Sequence, residues 1–93
     1  MIRYAMNVTQ EHLNFIVKFA KDYGATKVLL FGSAFDNPTD ASDIDIATDI
    51  PVSLIDTFAA TLEETMMMPI DVVPLIPPTP FTRFIQQYSR ILL

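Results

Sequence analysis

Val28-Leu29-Leu30-Phe31-Gly32-Ser33, followed after nine residues by Asp43-Ile44-Asp45-Ile46-Ala47, is the stretch on which the fold of this 93-residue chain turns. Its first piece is an apolar run that stops at a Gly-Ser pair, the pattern of a buried strand ending in a turn. Its second piece alternates carboxylate and aliphatic residues, the period of a strand with one wet face and one dry face. Asp43 and Asp45 then project to the same side, with β-carbons about 6–7 Å apart. Two parallel carboxylates repel one another unless a cation lies between them. Oxygen ligands without His or Cys suit a hard ion such as Mg²⁺. Gly32 permits backbone angles that other residues resist and lets a bulky anion approach the main chain. Ser33 adds a hydroxyl and an N–H donor. Together these pieces make a site for a metal-bound triphosphate.

Working outward, Thr9 followed by Gln10-Glu11 predicts a helix start, and Gly24 predicts its stop. In this helix of about four turns Glu11, Asn14, Lys18 and Asp22 share a narrow polar stripe, and apolar residues cover the rest. Phe15 and Phe19 exceed what one small sheet can bury, which predicts a contact surface for a partner or for a second copy of the chain. The lone His12 reads as a packed or interface residue. Lys27–Phe31 is the first strand, Ser33–Ala41 a loop with a turn at Asn37-Pro38, and Asp43–Thr48 the second strand. Ser53 and Asp56 predict a cap for the next helix, whose core stripe is Leu54, Ile55, Phe58, Ala59 and Leu62. Met66, Met67 and Met68 read as core filling, and Asp36, Asp40 and Asp49 as solvated loop acids. A third strand, Ile70–Val73, carries Asp71. The prolines 74, 77, 78 and 80 form a connector, Phe81–Tyr88 a last helix, and Arg90–Leu93 an apolar end. This order predicts an α/β (α+β) fold over residues 1–93 as one domain, a small mixed β-sheet with helices packed on one face.

Composition narrows the function. A net charge of −5 and only six Lys and Arg, at Arg3, Lys18, Lys21, Lys27, Arg83 and Arg90, argue against a direct grip on nucleic acid. Metal ions must then supply most of the positive charge that a triphosphate needs. With no cysteine, disulfides and thiolate metal sites are excluded and a cytoplasmic location is expected. No apolar run approaches the ~18 residues needed to cross a bilayer, and the N-terminus lacks the regions of a signal peptide.

Gly32-Ser33, nine residues, Asp43-x-Asp45 and then the acid of Pro69-Ile70-Asp71-Val72-Val73 resemble the signature of polymerase-beta-type nucleotidyltransferases. The resemblance is greatest to their small stand-alone branch, the minimal nucleotidyltransferase (MNT) proteins. It implies the minimal nucleotidyltransferase fold, with Asp43, Asp45 and Asp71 holding two Mg²⁺ ions (or Mn²⁺) and Asp71 as general base on the nucleophile side. Gly32 and Ser33 would receive the β- and γ-phosphates. Ser42 is either a structural cap or a phosphate contact. MNT proteins commonly pair with a helical HEPN protein, often a ribonuclease toxin. The implied activity is therefore transfer of AMP from ATP to a hydroxyl of that partner, as the antitoxin of a toxin–antitoxin pair. Many relatives carry a basic residue after the Gly-Ser pair, where this chain has Ala34-Phe35. The alternative is a binding module that neutralises its partner by occlusion.

Overall fold

A computed structural model of the chain describes residues 5–93. The first four residues, Arg3 among them, lie outside that range. The elements run α1 (Gln10–Asp22), β1 (Val28–Phe31), a single helical turn α2 (Ser33–Asp36), a 3-10 turn (Pro38–Asp40), β2 (Ile44–Thr48), α3 (Val52–Met66), β3 (Ile70–Pro74), α4 (Pro80–Gln87) and β4 (Arg90–Ile91). The sheet order is β3-β2-β1-β4. β2 and β3 are parallel and the other two pairings antiparallel, which makes the predicted mixed sheet.

The main core lies on one face of this sheet. Val28 and Leu30 of β1, Ile44 and Ile46 of β2 and Ile70 of β3 point there. Leu13, Ile16 and Ala20 of α1 and Ile55, Phe58 and Leu62 of α3 meet them. These strand positions alternate with those on the other face, so the pleat itself separates the two. The short α4 packs against that other face, where Ile85 and Leu75 join Leu29, Ala47, Phe31 and Val73 in a second, smaller cluster. The two long helices thus cover one face, as expected, and α4 guards part of the opposite one.

Several sequence expectations need correction. The stretch Ser33–Ala41 is not a loop but two successive helical turns, held by Val8 N–H donating to the Pro38 carbonyl and by a reciprocal Met6–Ala41 backbone pair. Arg90–Ile91 is a fourth strand rather than an apolar end. Ser53 does not cap α3, because the helix begins at Val52 behind Pro51 and the serine already lies inside it. Leu54 is exposed, and Ala59 only partly buried, leaving Ile55, Phe58 and Leu62 as the buried stripe. Met67 is not core: it is 89% exposed and ends α3 in a left-handed conformation.

Phe19 is partly buried rather than exposed. Its ring packs on Phe58 at 5.7 Å and on Tyr23 at 5.3 Å, so of the α1 aromatics proposed for an interface only Phe15 is exposed. His12 completes a capping box with Thr9: its Nδ1 accepts from the Thr9 N–H at 3.0 Å, and its own N–H donates to Thr9 Oγ1. Asp49 is not merely a solvated acid. It accepts from the Thr26 and Lys27 N–H groups and from the Thr26 hydroxyl, pinning the entry to β1. Partial burial opposes its ionisation, yet the hydrogen bonds from Thr26 and Lys27 outweigh burial and hold its pKa below the ordinary carboxylate value.

Candidate active site

The apolar residues of β2 and β3 dictate where the acids go. Ile44 and Ile70 are register partners, both buried in the main core, and Ile46 is fully buried beside them. With those side chains committed to one face, Asp43, Asp45 and Asp71 must face the other. A one-residue slip of either strand would drive acids into the apolar core, so the register is strongly fixed.

Asp45 sits directly opposite Asp71 on β3, and Phe31 sits opposite Asp45 on β1. Phe31, Asp45 and Asp71 therefore form one row across the sheet, and Asp43 stands two residues before Asp45 on the same side. Carboxylate oxygens of the three acids lie within 4.8 Å of one another. Asp71 is exposed on the edge strand, while Asp43 and Asp45 are partly buried.

Such crowding has an electrostatic consequence. The Asp45 pKa is raised to about 7, first by burial and then by the charge of Asp43, a hydrogen bond to Asp43, and the corresponding effects of Asp71. A carboxylate held this way takes up positive charge readily. Three convergent carboxylates, with oxygen as the only donor type, fit a hard divalent ion.

Gly32 has a structural reason of its own. It caps α2 at φ +70°, and a Cβ there would overlap Asp45 Oδ2 and lie 3.1 Å from Asp45 Cγ. Any other residue would combine backbone strain with displacement of the central acid. Ser33 lies against the acids too. Its Oγ is 3.2 Å from Ser42 Oγ, accepts from the Ser42 N–H at 3.2 Å, and reaches the Asp43 carbonyl at 3.3 Å. All six residues singled out in the sequence therefore converge on one corner of the sheet.

Sequence reasoning missed the aromatic side of this corner. Phe81 and Phe84 of α4 and Tyr88, which caps its C-terminus, are all more than half exposed, and that helix packs on the same face as the acids. Phe81 meets Phe31 edge-on at 6.0 Å, which ties that helix to the row of acids. The signal was present: Phe81, Phe84 and Tyr88 recur at three- and four-residue spacing, one stripe of a helix.

The chain, a mixed four-stranded sheet that presents three acids beside a Gly-Ser turn, has the minimal nucleotidyltransferase fold. Among solved structures the chain is similar to one of a tri-AMPylated Shewanella oneidensis HEPN toxin in complex with MNT antitoxin, at TM-score 0.71 and 23% identity, covering 90% of this chain and 71% of that one. It is similar to the toxin–antitoxin MntA–HepT at TM-score 0.71 and 22% identity, over 91% of this chain and 72% of that one. A mutant of an MntA toxin–antitoxin complex, with two aspartates changed to glutamate, matches at TM-score 0.73 and 21% identity, over 87% of this chain and 72% of that one. No family model and no curated protein sequence matches. Among the described residues no helix is long and apolar enough to cross a membrane.

Proposed function

We propose that the chain is an MNT-type nucleotidyltransferase that moves AMP from ATP onto a hydroxyl of a HEPN-type protein, as the antitoxin of a toxin–antitoxin pair. The observation that carries this reading is the convergence of Asp43, Asp45 and Asp71 beside Gly32-Ser33. The similarity to a complex of an MNT antitoxin with a tri-AMPylated HEPN toxin supports the choice of AMP and of the acceptor. A cytoplasmic setting, without membrane or direct nucleic-acid contact, belongs to the same proposal.

Two Mg²⁺ ions, or Mn²⁺, held by the three carboxylates would neutralise the triphosphate and acidify the acceptor hydroxyl. The chain's own residues do the rest. Gly32 leaves room for the phosphates, and the Ser33 and Ser42 hydroxyls donate to phosphate oxygens. The acceptor oxygen attacks the α-phosphorus. An O–P bond forms as the bond to the bridging oxygen of the β-phosphate breaks, and pyrophosphate leaves with that electron pair. The hydroxyl proton passes to Asp71, the acid on the exposed edge strand, where a protein acceptor has access.

The test pairs nucleotide binding with transfer of labelled AMP to the partner protein. Asp43→Asn with Asp45→Asn loses both. Asp71→Asn keeps most nucleotide affinity and loses transfer by at least about a hundredfold. Transfer by Asp71→Asn at the wild-type rate overturns the proton-acceptor role. A second reading, occlusion without catalysis, is favoured by Ala34 and the exposed Phe35 after Ser33 in place of a cation. It requires the Asp43→Asn, Asp45→Asn variant to neutralise the partner as well as wild type does.

A further inference from the structure

A cleft of about 320 Å³ opens next to the acids, lined by Phe31, Gly32, Phe35, Phe84, Ile85 and Tyr88, with Asp36 also on its wall. Its volume is at the lower end of the range for small-ligand sites, enough for a nucleoside-sized fragment. Gly32 lines this cleft and lies against Asp45, so the cleft adjoins the site of the acids. We propose that this cleft seats the base of the nucleoside triphosphate, an amino-bearing purine, stacked on Phe84 or Tyr88. The inference rests on the nucleotidyltransferase reading and adds what that reading leaves open, the residues that recognise the base.

Three observations carry it. The first is chemical: the cleft wall is aromatic and carries no Lys or Arg, so it suits a planar uncharged ring and not the phosphates. Phe84 and Tyr88 lie 4.8 Å apart by ring centroids and are each 58% exposed, leaving large aromatic surfaces without a cover. The second is topological. In the strand order β3-β2-β1-β4, the cleft lies on the β1 side of Asp45 and Asp71 lies on the β3 side. The base would thus lie away from the edge at which the acceptor hydroxyl arrives, leaving that side of the α-phosphorus open to attack opposite the departing pyrophosphate. The third is the one charged group on the wall. The Asp36 carboxylate accepts a hydrogen bond from an exocyclic amine and repels a carbonyl edge, so adenine or guanine is favoured over uracil.

The experiment measures equilibrium binding of Mg²⁺–ATP, Mg²⁺–UTP and Mg²⁺–tripolyphosphate to the full chain, wild type and variants, without the partner. Tripolyphosphate retains the phosphate contacts and lacks the base. Phe84→Ala or Tyr88→Ala, whichever removes the stacked ring, should weaken ATP by roughly five- to hundredfold, the range for loss of one stacked base, and both should leave tripolyphosphate unchanged. Phe84→Leu and Tyr88→Phe serve as milder changes should either alanine variant lose its fold. Tyr88→Phe keeps a ring and should keep ATP affinity, whereas Phe84→Leu should lose part of it. Wild type should prefer ATP to UTP, and Asp36→Asn should narrow that preference. Equal ATP affinity in wild type and the ring variants overturns the base cleft and leaves the nucleotidyltransferase reading intact. Equal losses for ATP and tripolyphosphate overturn it as well. Wild type that binds neither ATP nor tripolyphosphate with Mg²⁺ overturns both the cleft and the nucleotidyltransferase reading.

Discussion

On β2, Ile44 and Ile46 go one way while Asp45 and Ala47 go the other, and the two faces of the sheet part company from there. The face under α1 and α3 is dry, continuous and built of large aliphatic and aromatic side chains. The face under α4 has a small apolar cluster at one end and three mutually repelling acids at the other. Identical strands supply both, so backbone hydrogen bonding cannot account for the difference. Stability resides with the first face, and the second spends some of it to hold like charges together.

The largest effect expected from that division is at Phe58. Its ring is fully buried on the covered face and packs against Phe19 and Tyr23. Phe58→Ala should cost about 3–5 kcal/mol, a large share of the stability of so small a domain. Phe84→Ala, on the opposite side and exposed, should cost less than about 1 kcal/mol. Urea denaturation of the two variants checks the contrast. Similar losses would mean that the open face contributes as much packing as the covered one.

A smaller effect, with the opposite sign, is expected at Asp45. Its folded-state pKa of about 7 lies above the ordinary value of 3.8. Between those values the folded protein binds more protons than the unfolded chain, so this acid makes the metal-free protein less stable as pH rises from about 4 to about 7. Above that window its contribution is constant. Asp49 works in the other direction, since its depressed pKa adds stability that is lost as pH falls. The informative quantity is therefore the difference between wild type and Asp45→Asn across pH. In metal-free buffer the variant should melt roughly 3–6 °C higher at pH 8, at most about 1 kcal/mol after allowance for solvent screening, and the gap should close toward pH 4. Mg²⁺ should raise the melting temperature of wild type and shift the variant much less. A gap that widens on acidification would refute the electrostatic account of the open face.

Much of this division is legible in the sequence. The alternation through Asp43-Ile44-Asp45-Ile46 fixes which side each residue takes, because apolar side chains cannot be left wet in a strand with acids between them. The same logic applies to Ile70-Asp71-Val72, so the three acids of the candidate site are legible in the sequence as well. What was not legible depends on contacts between distant segments. Ile91 becomes a strand residue only because Leu29 offers it an open edge. Phe19 is packed because Phe58 and Tyr23 arrive from α3 and from the end of α1. The side of the sheet chosen by α4 follows from the path through Pro74–Pro80, which helical periodicity does not encode. The aromatic wall of the cleft was missed for that reason.

The smallest expected effect lies at the far end of α3, where the covered face meets the strand that carries Asp71. Met67 ends the helix at φ +55° and ψ +39°, a left-handed conformation that costs an L-residue about 1–2 kcal/mol. Its N–H still donates to the Glu63 carbonyl at 2.8 Å, so the turn is closed as a glycine would close it. The side chain is 89% exposed, and removing it forfeits little packing. Glycine at this position relieves the strain but adds about 0.5–1 kcal/mol of unfolded-state entropy, leaving a net gain of about 0.5 kcal/mol. Met67→Gly should therefore raise the melting temperature by roughly 2–4 °C. Because the change lies outside the row of acids, the Mg²⁺-induced shift should be the same as in wild type. A stabilised variant with an altered Mg²⁺ response would show that this turn positions Asp71. A destabilised variant would show that the exposed methionine makes a contact that outweighs the strain.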